Sequence, residues 1–355
     1  MLSASAFHAL VSGRKRGWSA SLLRAALRAI ETPYAWAMRQ RNRRYDRGRA
    51  ETCRVDVPVV SVGNITLGGT GKTPLVEWLA RWLRERGVRV ALVSRGYGAT
   101  DGRANDEALE LEQKLPDVPH VQNRDRVAGA RLAIDEFDSQ LVLLDDGFQH
   151  RRLARDLDIV VLDATEPFGC EHVFPRGLLR EPLAGLSRAD LLVLSRADLV
   201  TADRRAEIRR RALALAPQAG WVEARHAPRV WRSAAGQERA VVELSACRVA
   251  AFCGIGNPEG FRRTLAAAGC TVVAFREFAD HYAYRREDME ALSRWAAEAD
   301  IDAVMTTHKD LVKIGVERLG DKPLWALVVG LEVLSGEEAL TARLSAVLPA
   351  PEAYC

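Results

Sequence analysis

Val57-Pro58-Val59-Val60-Ser61-Val62-Gly63-Asn64-Ile65-Thr66-Leu67-Gly68-Gly69-Thr70-Gly71-Lys72-Thr73-Pro74 decides the fold of this 355-residue chain. A β-branched apolar run ends in a glycine-rich turn, and the turn closes on Gly-Lys-Thr. Leu75-Val76-Glu77-Trp78-Leu79-Ala80-Arg81-Trp82-Leu83 follows with apolar residues at helical spacing. The order is strand, phosphate loop, helix. Glycines let backbone N–H groups curl around phosphate oxygens, and a helix N-terminus adds partial positive charge. The expected nucleotide-binding residues are Thr66, Leu67, Gly68, Gly69, Thr70, Gly71, Lys72 and Thr73. Lys72 would reach the β- and γ-phosphates, and the Thr73 hydroxyl would ligate Mg²⁺. The loop departs from the usual pattern at its first position, where Thr66 replaces Gly. A helix-capping turn without ligand would explain the glycines, but not Lys72-Thr73.

Around this segment, residues 55–200 alternate strand and helix, which argues a parallel sheet covered on both faces. The expected strands are Val57–Val62, Val88–Ser94, Leu141–Leu144, Asp158–Leu162 and Leu191–Leu194, with helices over 72–86, 125–137 and 202–216. The stretch 221–246 is mixed in composition, so a junction falls there. A second, smaller α/β series follows, with strands at Val249–Cys253, Thr271–Phe275, Ala303–Thr306 and Leu324–Val329 and helices over 258–268, 286–298 and 336–347. The expected organisation is an N-terminal segment 1–50, a phosphate-loop domain 51–225 and a smaller domain 226–355.

Leu141-Val142-Leu143-Leu144-Asp145-Asp146 is an apolar strand ending in two carboxylates, either of which would hold Mg²⁺ beside a phosphate loop. Gly147-Phe148-Gln149-His150 continues into the sheet's ligand-binding edge. Ser94-Arg95-Gly96-Tyr97-Gly98 leaves the second strand at that same edge, where Arg95 could contact phosphate. Ser195-Arg196-Ala197-Asp198 resembles a guanine reader only loosely, because Ser lacks the amide that the reader uses, so GTP is discounted. Gly254-Ile255-Gly256 lacks the third glycine of a dinucleotide fingerprint and reads as a turn into a helix. Asp280-His281 sits among aromatics, where a carboxylate-held imidazole suits general-base work as well as loop capping.

Net charge is +4, yet residues 1–50 alone carry +9 and the remainder −5. The body is therefore a poor nucleic-acid surface, whereas the N-terminus is a basic arm. Leu22, Leu23, Ala26, Leu27 and Ile30 share one helical face, and Thr32-Pro33 reads as the start of a second short helix. An arginine cluster from Arg39 to Arg49 follows. Amphipathic helix, aromatics and arginines together describe an interfacial membrane anchor; packing on the protein's own body is the alternative. No apolar run reaches eighteen residues, and no secretory signal is recognisable. Six scattered cysteines without a C-x-x-C pair fit a reducing compartment. Cys170-Glu171-His172 is poorly spaced for zinc.

Several of these stretches together resemble the tetraacyldisaccharide 4′-kinase family of the lipid A pathway. They are Ser61-Val62-Gly63-Asn64 with Gly68 to Pro74, Ser94 to Gly98, Asn105-Asp106-Glu107, Asp145 to His150, Leu179-Arg180-Glu181-Pro182, Gly254 to Pro258, Phe278 to His281 and Thr306-Thr307-His308-Lys309-Asp310. The resemblance implies transfer of the ATP γ-phosphate to the 4′-hydroxyl of a tetraacyldisaccharide 1-phosphate, giving lipid IVA at the cytoplasmic face of the inner membrane. It implies Asp106 as general base assisted by His281, and an active-site pair Arg180-Glu181. The residues flanking Asp106 differ from the family motif, and His308 stands where the family carries Glu. A membrane-associated ATPase or GTPase switch is the rival from another class.

Overall fold

The structure is a computed structural model; it describes residues 4–96, 106–280 and 282–349, of which residues 4, 5 and 106–108 by backbone alone. It divides into two compact units. The first comprises Met1–Arg95, Val118–Arg225 and Val333–Cys355, and the second Gly96–Asp117 and His226–Glu332. The expected segments were 1–50, 51–225 and 226–355. The chain instead changes unit at Arg95, Asp117, Arg225 and Glu332, and the N-terminal segment is counted with the first unit.

Among its described residues the first unit is built on β1 (Val59–Asn64), β2 (Val90–Ser94), β3 (His120–Gln122), β4 (Leu141–Asp145), β5 (Leu157–Asp163), β6 (Leu191–Ser195) and the start of β7 (Gly220–Arg232). They lie in the order β7-β6-β5-β1-β4-β2-β3, every neighbour parallel. β1 is buried along its whole length because helices cover both faces, which is why its sequence is continuously apolar and not alternating. β1 also lies where the order reverses: β2, β3 and the inserted β4 lie on one side of it, and β5, β6 and β7 add on the other. Ligands bind at the carboxyl ends of strands at such a point.

The helices follow from their apolar stripes and caps. In α3 (Lys72–Arg84) Leu75, Val76, Leu79, Ala80 and Leu83 are fully buried; each large side chain stabilises by about 1.5–3 kcal/mol relative to exposure. α5 (Arg126–Phe137) starts where the Asp125 side chain accepts from the N–H groups of Val127 and Ala128. α6 (Ala202–Leu215) buries Ile208 and Ala212 beside Leu192 and Leu194, and α10 (Glu337–Ser345) closes the unit.

The N-terminus departs from expectation. α1 (Ala4–Val11) is followed by one uninterrupted helix, α2 (Trp18–Asp46), that contains Pro33. Pro inside a helix forfeits a hydrogen bond, typically about 3 kcal/mol. Here Thr32 does not cap a new helix. Its hydroxyl donates back to the Arg28 carbonyl within the same one (3.1 Å). Continuity is secured by tertiary contacts on one face. Glu31 accepts from Val173 N–H (2.8 Å) and pairs with His172 Nδ1 (3.0 Å), and Ala20 and Ala35 are buried. Ala20, Glu31, Ala35 and Asn42 share this docked face. Trp18, Leu22, Ile30 and Trp36 are exposed. Among the described residues no helix is long and apolar enough to cross a membrane.

The second unit carries β8 (Glu238–Ala240), β9 (Arg248–Cys253), β10 (Thr271–Glu277), β11 (Ala303–Thr307), β12 (Arg318–Leu319) and most of β13 (Lys322–Ser335). β10-β9-β11-β13 are parallel, β12 runs antiparallel to β13, and β8 pairs antiparallel with the end of β7. α7 (Pro258–Ala267), α8 (Arg286–Ala297), α9 (His308–Ile314) and α4 (Asp106–Lys114), which enters from the middle of the chain, complete it. α4 packs on α9 through Glu110, which pairs with Lys114 (2.9 Å) and approaches the buried His308 ring (3.9 Å).

Candidate active site

The phosphate loop begins where β1 ends. Its N-cap residue Gly71 is left-handed (φ 82°) and has no side chain to cap α3, so among the described residues the first N–H groups of the helix remain open for an anion. Gly68 is also left-handed (φ 100°), and a Cβ on Gly68 or Gly69 would meet nothing within 4 Å. Three bonds hold the loop from behind. Leu67 N–H donates to Leu178 O (2.6 Å), Asn64 Nδ2 to Thr66 O (2.9 Å) and Ser195 Oγ to Thr70 O (2.6 Å). Thr66 and Thr70 are buried, Leu67 is exposed, and Thr73 is half-buried at the start of α3. Ser195 thus supports the loop, and Arg196 pairs with Asp163. Neither is arranged as a guanine reader.

Asp145 closes β4 and is buried. Asp146, the next residue, is left-handed (φ 55°), a conformation that costs a non-glycine residue about 1–2 kcal/mol. Its carboxylate lies 3.3 Å from Lys72 Nζ, and Arg180 Nη1 donates to both of its oxygens (2.8 and 2.7 Å). Burial pushes this carboxyl upward, but Lys72 and Arg180 outweigh it and hold the pKa at about 2. The loop lysine, the strand-end acid and Arg180 therefore form one ion-paired cluster.

Beside the cluster is a cavity of about 330 Å³. Arg41, Arg95, Arg124, Arg126 and Arg180 line it, with Asp146, Gln149 and His150. Five guanidinium groups against one carboxylate give it a strongly positive lining suited to anions. Arg126 is only 3% exposed; its burial and the nearby Arg95 charge depress its pKa, which Asp146 partly offsets. Burial first, then Arg126 and Arg155, lowers His150 to about 4, so its imidazole is neutral at neutral pH. The carboxylate of Glu181 is buried: Oε1 accepts from Arg188 (2.9 Å) and Gln149 (3.0 Å), and Oε2 from Asn42 (2.6 Å).

The structure thus brings together Lys72, Asp146, Arg95, Arg180 and Glu181, with Asp145 and Thr73 on the adjoining strand end and helix start. Asp106 opens α4 in the second unit. His281, Asn105, Tyr97 and Gly98 lie outside the described residues. Asp280 faces Lys309 Nζ at 3.9 Å. In the second glycine turn, Asp310 accepts from Gly254 N–H (3.0 Å) and Thr307 Oγ1 (2.6 Å), and Asn257 caps α7 through Gly260 N–H (2.9 Å). Cys170, Glu171 and His172 point to different partners, namely Glu166, Arg211 and Glu31. Arg41, Arg124 and Arg126 were missed as site residues, because surface arginines are common and nothing local marks three of them as convergent. Gln149 was legible only as part of a motif.

A family model described as tetraacyldisaccharide-1-P 4′-kinase matches residues 23–349. The chain belongs to this family. It is accordingly a phosphotransferase that places a phosphoryl group on a hydroxyl. A tetraacyldisaccharide 4′-kinase of Anaeromyxobacter sp. (strain K) is 40% identical over 349 residues, covering 93% of this chain and 92% of that one. Its counterpart in Geobacter sulfurreducens is 36% identical over 364 residues, covering 96% and 98%. LpxK of Aquifex aeolicus, solved in complex with ATP, superposes with a TM-score of 0.72 at 28% identity, covering 92% of this chain and all of that one. The 4′-kinase family therefore spans both units and most of α2.

Proposed function

We propose that this chain transfers the γ-phosphate of ATP to the 4′-hydroxyl of tetraacyldisaccharide 1-phosphate, forming the 1,4′-bisphosphate. The observation that carries the reading is the ion-paired cluster Lys72–Asp146–Arg180 at an uncapped helix N-terminus, beside a cavity lined by arginines, in a chain of the 4′-kinase family. Residues 66–73 cradle the triphosphate. When nucleotide binds, Lys72 exchanges its Asp146 contact for phosphate oxygens, and Arg180 and the cavity arginines neutralise charge that builds on the transferred group. Thr73 and the carboxylates of Asp145 and Asp146 are hard oxygen donors and fit Mg²⁺. It would supply further charge neutralisation there. Asp106, tuned by His281, takes the proton of the acceptor hydroxyl. Most of the rate acceleration comes from positioning and charge stabilisation, with the base contributing about 10²–10⁴-fold.

The acceptor carries acyl chains, so the enzyme works at a lipid surface. The exposed Trp18, Leu22, Ile30 and Trp36 of α2, together with the arginines that follow, dock it peripherally on the cytoplasmic face of the inner membrane. The test is mass spectrometry of the product formed from the protein, Mg-ATP and the monophosphorylated disaccharide. A mass gain of one phosphoryl group on the non-reducing sugar is expected, whereas ATP turnover indifferent to the glycolipid would refute the reading. Asp106→Ala is expected to slow transfer by about 10²–10⁴-fold; a rate within a few-fold of the parent removes Asp106 as the base.

A further inference from the structure

Helix α2 does more than present an apolar face to a membrane. Its docked face enters the hydrogen-bond network behind the site. Asn42 Nδ2 donates to Glu181 Oε2 at 2.6 Å. Glu181 is fully buried, and its other oxygen accepts from Gln149 Nε2 (3.0 Å) and Arg188 Nη2 (2.9 Å). Gln149 in turn meets Arg180 (3.4 Å) through Oε1, and Arg180 holds Asp146, which meets Lys72. The same helix touches this network twice more. Tyr34 Oη donates to Arg180 O (3.2 Å), and Arg41 Nη2 to Gln149 O (2.6 Å). A continuous path of polar contacts therefore runs from α2 to the phosphate-loop lysine.

We propose that Asn42 is a positioning residue for phosphoryl transfer: its amide fixes the buried Glu181 carboxylate, and through Gln149 that carboxylate fixes Arg180 against Asp146. The proposal rests on Arg180 acting in the reaction as set out under Proposed function. A buried carboxylate oxygen deprived of its donor turns to another, and one of its two remaining donors, Gln149, is the residue that meets Arg180. A displacement of about 1 Å in a charge-stabilising group costs rate and leaves nucleotide affinity nearly intact, because affinity is set by the loop itself.

The experiment uses the full-length protein with Mg-ATP and the monophosphorylated glycolipid in mixed micelles. Asn42→Leu and Asn42→Asp are expected to lower kcat by about 10–100-fold with KM for ATP unchanged within about twofold. Asn42→Gln keeps an amide donor and should retain most activity. Arg180→Ala serves as the reference. On that background Asn42→Leu should cost nothing further, a non-additivity that a purely structural role would not show. The proposal is overturned if folded Asn42→Leu and Asn42→Asp proteins keep kcat within about twofold, or if the losses of Asn42→Leu and Arg180→Ala simply add. If Arg180→Ala itself retains full activity, the reading of the site fails. An inactive Arg180→Ala beside unaffected Asn42 variants sinks only the present proposal.

Discussion

Two turns in this molecule look alike in sequence and do opposite things. Both follow a buried parallel strand, both are glycine-rich, and both enter a helix: Gly68 to Lys72 between β1 and α3, and Gly254 to Pro258 between β9 and α7. In the second, the donors are consumed. Asp310 takes Gly254 N–H, Asn257 caps Gly260 N–H, and Pro258 has no N–H to offer. In the first, Gly71 stands at the cap without a side chain to fill the helix end, and the loop is pinned only from behind. An anion site is thus a helix N-terminus left uncapped, with a lysine placed beside it. Glycine spacing alone does not distinguish the two.

The comparison is broken most severely at Lys72. Lys72→Ala is expected to lower the transfer rate by about 10²–10³-fold, the range of a lost charge-stabilising donor; initial rates with saturating nucleotide measure it. In the second turn the damage should go to folding. Asp310→Ala strips a fully buried acceptor from Gly254 N–H and Thr307, at about 1–3 kcal/mol for each group left unpaired. Urea unfolding reads that loss.

Acid sharpens the contrast further. Burial lowers His120 to about 4, and burial with neighbouring arginines brings His150 to the same value; both belong to the first unit. An unfolded histidine takes its proton near pH 6.5. Between about pH 6.5 and 4 the unfolded state therefore binds more protons and stability falls, a loss that His120→Gln and His150→Gln should flatten. Glu110 of the second unit is pushed up by burial but held at about 2 by Lys114 and His308, so its contribution is lost only as pH falls from about 4.5 towards 2. Hydrogen exchange across the two units at pH 7 and 5 should show the first loosening earlier. The smallest effect is at the second turn's cap: Asn257→Ala should cost about 1 kcal/mol of stability and leave kcat unchanged.

The parallel core was readable because strands buried on both faces are largely continuous apolar runs: β4, β5 and β6 contain the runs that start at Leu141, Ile159 and Leu191. β7 was not, because its residues alternate irregularly between buried and exposed over thirteen positions and carry His226, Arg225 and Arg229. β3 is too short to show a pattern. Lys72, Asp145 and Asp146 could be named from local motifs, and the Arg180-Glu181 pair through the family resemblance. The part played by Asn42 could not: its partner Glu181 is 139 residues away, and no periodicity relates the two. Thr32-Pro33 misled because a capping signature describes local preference, while Glu31 and Asn42 tie the helix down on either side of the proline.

Gly63 sets a limit on how this enzyme can be altered. A methyl there would lie 2.5 Å from Phe148 Cβ and 2.7 Å from its amide nitrogen. Phe148 is followed directly by Gln149 and His150 at the cavity wall. Thickening the central strand by one carbon would lever that wall out of register with the nucleotide cradle. Core and catalytic geometry share a single span of backbone here, and an engineer seeking a tighter interior would have to begin elsewhere.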